Sequence, residues 1–237
     1  MPRHVAFICA MPMELTPLKR KLSLQKTRIG SLDVYAGVLG DRPVVAIVTG
    51  MGTALAAENV ELLLEAFTVE RVVVVGITGA VEDHTPIGTL MLPEVVVNGA
   101  TGAEYRPEEL GTNGASGKMW TTDTLIKDPD ALADLRAKGV ISLDMETAAI
   151  AEVCERRAIP WSVFRAISDR ATDENLDEEV FHLSNQDGTP NAKAVAAYVL
   201  KRPGRIPAMA RMAKEAKLAT ERAADAAISA VSQAPHS

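Results

Sequence analysis

An apolar run that reads as an interior strand, WSVFRAIS (161–168), carries Arg165 in its middle and ends directly on Asp169. A guanidinium taken out of water without partners costs several kcal/mol, so Arg165 needs carboxylates beside it or a wet cavity to line. Two acids are candidates. Glu146, in SLDMETAAIAEVC, falls in line with Ile150 and Val153 if a helix begins near Met145, which puts it on the apolar stripe rather than the solvent face. Glu14 lies one turn into the helix expected after the first strand, among Met11, Met13 and Leu15. In an open α/β sheet, ligands bind outside the carboxyl ends of the strands. Three strand-to-helix junctions each place an acid near that edge, and a fourth, VVVGITGA (73–80), offers bare backbone at Gly76 and Gly79. Simpler roles exist for each acid: Asp169 as the cap of the next turn, Glu146 as a plain ion-pair partner, and Glu14 as a first-turn acid favoured by the helix dipole. Asp144 would serve a helix N-terminus. The common chemistry is that of carboxyl groups around a small ligand.

Other chemistries lack their signatures. There is no P-loop, and a lone G-x-x-G at 76–79 is too weak to invoke a dinucleotide. His4, His84, His182 and His236 make no metal-binding spacing, and no Ser-His-Asp set is apparent, so neither a metal nor a cofactor is expected. The formal charge of −6 and a pI of about 5.3 give no sign of the basic face of a nucleic-acid binder. Cys9 and Cys154 each sit in an apolar stretch and read as small buried hydrophobes rather than a disulfide. No stretch approaches the ~20 apolar residues of a membrane span, and the first apolar run is too short for a signal peptide, so a cytoplasmic location is expected.

The elements that must position these residues follow from periodicity. HVAFIC (4–9) reads as a strand and PMELTPLKRKL (12–22) as a helix opened by Pro12. Residues 31–50 read as a hairpin about Gly-Asp-Arg-Pro, 51–67 as a helix, and 69–80 as a fully buried strand. A strand region follows at 88–97, and the Gly-rich 99–118 reads as a surface loop. A capped helix at 128–139, the strand VISL, a helix METAAIAEVCERR and the strand WSVFRAIS complete an alternation that predicts an α/β protein with a mostly parallel sheet. The Ala-rich 205–231 predicts a long helix, with Met209, Met212, Ala216, Ala219, Ala223 and Ala227 on one side, packed on the domain or on a partner subunit. With no repeat or long linker, 1–237 reads as one domain.

Taken in order, CAMPMEL, VGITGAV, SLDMETAAIAEVC and FRAISDRATDE resemble the nucleoside phosphorylase/nucleosidase superfamily, most of all its 5′-methylthioadenosine/S-adenosylhomocysteine nucleosidase branch, over about residues 4–185. The resemblance implies a three-layer αβα fold with a mixed, barrel-like central sheet. It also implies hydrolysis of a small-molecule purine nucleoside, a 5′-substituted adenosine, with no cofactor and in a homodimer or larger assembly. Asp169 then resembles the general acid at purine N7, supported by Ser168. Met145 and Glu146 resemble the ribose-binding pair, Glu14 the carboxylate that activates water, and Arg165 the arginine beside that water. WTTDTLI (120–126) resembles the base-binding segment and would set Leu125 and Ile126 against the purine, with Thr78, Gly79 and Met11 also on the substrate. Phosphorylases of the superfamily keep a phosphate-binding arginine where this chain has Val74, so water is the expected nucleophile.

The chain departs from that pattern at Ile77, where the nucleosidases carry a serine, and at Leu125, where they carry a stacking phenylalanine. The stretch before WTTDTLI is short. The tail LSNQDGTPNAKAVAAYVLKRPGRIPAMARMA is more like that of hopanoid-associated relatives, which act on a bulky adenosyl-lipid. An adenosyl-lipid or futalosine-like substrate, a phosphate-dependent reaction and a non-catalytic purine-binding relative are the alternatives.

Overall fold

Val72–Val75 form an unbroken β-branched run, and the strand that contains them, β5 (Val69–Ala80), is the axis of the molecule. The computed structural model of the chain describes residues 2–111, 114, 116–173, 183, 185, 188, 189 and 191–235. Glu174, the last residue of FRAISDRATDE, lies outside them, as do His182, His236 and much of 184–190.

β5 pairs in parallel with β1 (His4–Cys9) on one side and with β11 (Trp161–Arg170) on the other. Beyond β1 lie β4 (Arg42–Val48), β3 (Leu32–Leu39) and β2 (Gln25–Ile29), with β3 and β4 forming the expected hairpin. At its far end β5 meets β10 (Val140–Asp144), Gly79 opposite Leu143 and Ala80 opposite Ser142, in antiparallel sense. From there the sheet continues through β9 (Lys118–Thr121), β7 (Val95–Asn98) and β8 (Glu104–Tyr105), while β6 (Leu90–Met91) pairs with β11.

This corrects two expectations. The sheet is mixed, as the family likeness implied, and not mostly parallel: alternation of helices and strands reports which elements are buried, not the sense in which distant strands pair. The 99–118 stretch is not wholly loop, since Glu104–Tyr105 pairs with β7, and 88–97 breaks into two strands around Pro93.

Side-chain alternation builds a core on each face of the sheet. Ala6, Ile8, Val72 and Val74 face α2 (Thr53–Ala66) and α4 (Thr147–Arg156), whose Val60, Leu63, Ile150 and Val153 complete that core. Val5, Phe7, Val73 and Val75 face α1 (Pro12–Lys21) and the second half of α6 (Ile206–Gln233). Two further helices, α3 (Pro129–Ala137) and α5 (Ala192–Lys201), lie outside these layers; α3 is capped by the Asp128 carboxylate on the Asp130 and Ala131 amides. Cys9 and Cys154 are buried in different cores and free, and burial pushes the Cys154 thiol up to about 12. Among the described residues no helix is long and apolar enough to cross a membrane.

Helix α6 matches its expected span but not its expected burial. Ala219, Ala223 and Ala227 are fully buried, whereas Met209, Met212 and Ala216 are only partly covered. α5 is an element that the sequence reading does not include, although Ala194, Val195, Tyr198 and Val199 form a partly covered stripe at helical spacing.

Candidate active site

Glu14 reaches the sheet from the first turn of α1. Its Oε2 accepts the Ala10 and Met11 amides at 2.7 and 3.0 Å, and its Oε1 accepts the Ile77 amide at 2.8 Å. The carboxylate thus caps its own helix and also ties it to the end of β5, so the structural and chemical roles coincide. Only a glycine fits beside it: a Cβ on Gly76 would lie 2.6 Å from Glu14 Cδ. Ile77 contributes its backbone N–H to this arrangement.

Arg165 lies directly across from Gly76 on β11. Its fork is shared by three acids: Asp144 Oδ2 at 2.8 Å, Glu146 Oε2 at 3.2 Å and Glu14 Oε1 at 3.6 Å, with the Ile77 carbonyl accepting from Nη1 at 2.8 Å. The closest partner is therefore Asp144, which was expected only at a helix terminus. It performs both tasks. Its Oδ2 also accepts the Thr147 amide at 2.8 Å, which starts α4, while the Thr121 hydroxyl donates to Oδ1 at 2.5 Å.

Glu146 is buried, but not as a residue on a helical stripe. α4 begins at Thr147, and Glu146 precedes it with φ −133° and ψ −34°. Its Oε1 accepts the Gly52 amide at 3.0 Å, which joins the turn before α2 to the cluster. Asp169 stands at the end of β11 beyond a register shift that sets it opposite Gly79, where a Cβ would come within 3.1 Å of its carboxyl oxygen. The Ser168 hydroxyl donates to Asp169 Oδ1 at 2.5 Å. The points on β5 facing Glu14 and Asp169, Ile77 and Gly79, are two residues apart, or about 7 Å at strand rise.

All these groups open onto one cavity with about 810 Å³ of non-atom space, part of it continuous with solvent. Every candidate residue named from the sequence lines it: Glu14, Arg165, Asp169, Met145, Glu146, Ser168, Thr78, Gly79, Leu125, Ile126 and Met11. Thr122 and Thr124, from the segment that resembles the base-binding one, line it as well, and so do Asp144, Met51 and Ala171, which the sequence does not single out for the cleft. Four carboxyl groups face a single cation, Arg165, among the described lining residues.

Burial raises the acids in this cleft. It pushes Glu146 from 4.5 up to about 7, against the pull of Arg165 and with Asp144 adding to the rise. Glu14 and Asp169 also move upward through burial, partly offset by Arg165 and three backbone amides for the former and by Ser168 for the latter. An acid whose folded pKa exceeds its unfolded value binds more protons in the folded state, so its contribution is present at low pH and lost as pH rises. For Glu146 the window runs from 4.5 to about 7, a swing of at most about 3 kcal/mol. The melting temperature of the free protein is therefore expected to fall as pH rises from about 5 to about 8. Glu146→Gln, read by thermal denaturation across that range, is expected to flatten the fall.

A family model described as the phosphorylase superfamily matches residues 4–114 and 106–202. The chain belongs to this superfamily. It is 26% identical over 220 residues to the 5′-methylthioadenosine/S-adenosylhomocysteine nucleosidase of Bacillus cereus (strain B4264), covering 77% of this chain and 95% of that one. Its fold matches that of an S-adenosylhomocysteine nucleosidase from Streptococcus pyogenes, solved with 5-methylthiotubericidin, at a TM-score of 0.76, 21% identity and coverage of 99% and 98%. The futalosine hydrolase of Helicobacter pylori strain 26695 superposes at 0.75, with 16% identity and 98% of each chain covered. The mixed sheet with flanking helices is thus the fold of these nucleosidases.

Proposed function

We propose that this protein is a purine nucleosidase that hydrolyses the N-glycosidic bond of a 5′-substituted adenosine, of the methylthioadenosine/S-adenosylhomocysteine type, and releases adenine. The observation that carries the reading is a cleft lined both by Asp169, opposite Gly79 on β5, and by Glu14, whose carboxylate is fixed by three backbone amides including that of Ile77. Glycoside cleavage through an oxocarbenium-like transition state with inversion uses two carboxyl groups, one as acid and one as base, with water between.

In this mechanism Asp169 gives its proton to purine N7, which lets the base leave as a neutral molecule. Burial moves Asp169 upward, which favours the protonated form that this role needs. Glu146, held by Gly52 and Arg165, accepts from the ribose hydroxyls, and Met145 packs beside the sugar. Glu14 takes a proton from water as the water oxygen bonds to C1′. Three amides and Arg165 fix its orientation, so little reorganisation is needed at that step. Leu125 and Ile126 cover the base by apolar contact, and Met11 and Met51 supply polarisable apolar surface toward the 5′ group.

Water is the better nucleophile here than phosphate. A phosphate dianion would meet four carboxyl groups and one arginine already shared by three of them. Incubation with methylthioadenosine, followed by adenine release with and without inorganic phosphate, tests this: equal rates support hydrolysis, and turnover only with phosphate would reassign the protein as a phosphorylase.

A backbone substitution probes the Glu14 mount. Gly76→Ala forces its carboxylate from the three amides it now occupies, because the added Cβ takes its place. Misplacing a catalytic group by about 1 Å costs on the order of 100-fold. Adenine release is expected to fall by that order, with a loss of stability of only about 1–3 kcal/mol, the usual range for overpacking.

A further inference from the structure

Charge is unevenly distributed along this chain. Residues 192–218 span α5, a 3-10 turn at Pro203–Arg205 and the first part of α6, and hold seven Lys or Arg against a single acid, Glu215. The stretch is +6 in a chain of formal charge −6, which leaves −12 on the rest. Lys193, Lys201, Arg202, Lys214 and Lys217 are exposed.

The same stretch exposes apolar side chains. Leu200, Ile206 and Leu218 are 83%, 48% and 45% accessible, three of the six large exposed hydrophobics among the described residues. α5 buries only Tyr198, and α6 buries nothing before Ala219. On α6, Ile206, Ala210, Lys214 and Lys217 recur at helical spacing and are all exposed, so apolar and basic positions share an outward face.

We propose that residues 192–218 form a docking surface for an anionic lipid bilayer, with Leu200 and Ile206 entering the headgroup layer and the surrounding Lys and Arg on lipid phosphates. Interfacial helices combine these two features, apolar insertion and attraction to anionic headgroups. Other occupants fit less well. A nucleic-acid face would offer aromatic rings for stacking, whereas the one aromatic here, Tyr198, is buried with the Arg202 guanidinium 5.4 Å from its ring centre. A second copy meeting this one about a two-fold axis would set +6 against +6. The −12 on the rest of the chain is repelled by an anionic surface and so turns this face toward it.

The docked face adjoins the cleft. Arg211 of α6 lies 3.5 Å from Asp173, whose carbonyl accepts from Lys127 at 3.0 Å, and the cavity-lining Ala171 and Ile126 are close neighbours of those two residues in the chain.

Sedimentation of the full-length protein with vesicles tests the proposal. We expect binding to phosphatidylcholine–phosphatidylglycerol vesicles, none to phosphatidylcholine alone, and release in about 1 M salt, where the Debye length is about 3 Å. The triple variant Lys201→Glu, Lys214→Glu, Lys217→Glu is expected to bind at least tenfold more weakly, at about 1 kcal/mol per basic residue near the surface. Leu200→Ser with Ile206→Ser is expected to lose at least tenfold as well, and both variants are expected to keep the wild-type melting temperature. Failure to sediment with either vesicle would overturn the proposal, as would equal binding to both. So would equally tight binding to single-stranded DNA, or a dimer that the triple variant dissociates.

Discussion

Asp169→Asn is expected to leave a folded protein that still binds the nucleoside and releases adenine 100- to 10,000-fold more slowly, the usual worth of a positioned general acid. The substitution keeps size and planarity at the end of β11, and the Ser168 hydroxyl can still donate to the side-chain oxygen. What is lost is the proton. An amide can hydrogen-bond to purine N7 but cannot transfer a proton to it, so the base would have to leave as an anion. The loss is expected in kcat, with KM little changed, because the interaction is made in the transition state. Steady-state adenine release with a parallel equilibrium binding measurement separates the two. Equal loss of binding and rate would make Asp169 a ligand for the base rather than its acid.

The second large effect falls on stability. Arg165→Met replaces a guanidinium by an apolar chain of similar length and leaves Glu14, Asp144 and Glu146, all buried, without their shared cation. Removing one partner of a buried ionic cluster costs about 3–5 kcal/mol. At about 2–4 °C per kcal/mol for a chain of this size, the melting temperature is expected to drop by roughly 6–20 °C. Because Arg165 lowers the pKa of both Glu14 and Glu146, its removal raises them further. The penalty is therefore expected to be smaller at pH 5, where those acids protonate, than at pH 8. Calorimetry of both proteins at the two pH values reads this directly. A pH-independent loss would mean that Arg165 acts by packing and not by charge.

The candidate site was legible because its groups lie at strand ends, and a strand end is a local feature. The interior guanidinium of WSVFRAIS announced a need for carboxylates, and a sheet topology with a defined ligand edge indicated where to look. A helix beginning near Met145 would put Glu146 on its apolar stripe, but α4 starts at Thr147, and Glu146 is held instead by the Gly52 amide and Arg165.

Asp144 has two tasks where the sequence indicates one. A carboxylate has enough lone pairs to cap α4 and bind Arg165 at once, and the D-x-x-T spacing of Asp144 and Thr147 carried only the first of these. The antiparallel contact of β10 with β5 left no local trace, since both strands are apolar whichever way they run. Met51 follows the end of β4, and its approach to the cleft depends on the parallel pairing of β4 with β1, which no local pattern records. Burial of α6 was only half legible, because periodicity says which face is apolar and not how far along the helix the core extends.

The account rests on water, activated at Glu14, attacking the sugar carbon as Asp169 protonates the base. Turnover of methylthioadenosine in ¹⁸O-labelled water, with the sugar product analysed by mass spectrometry, tests this most directly. One ¹⁸O in each methylthioribose and none in adenine is the predicted result. A sugar phosphate formed without label, or no glycosidic cleavage at all, would contradict it.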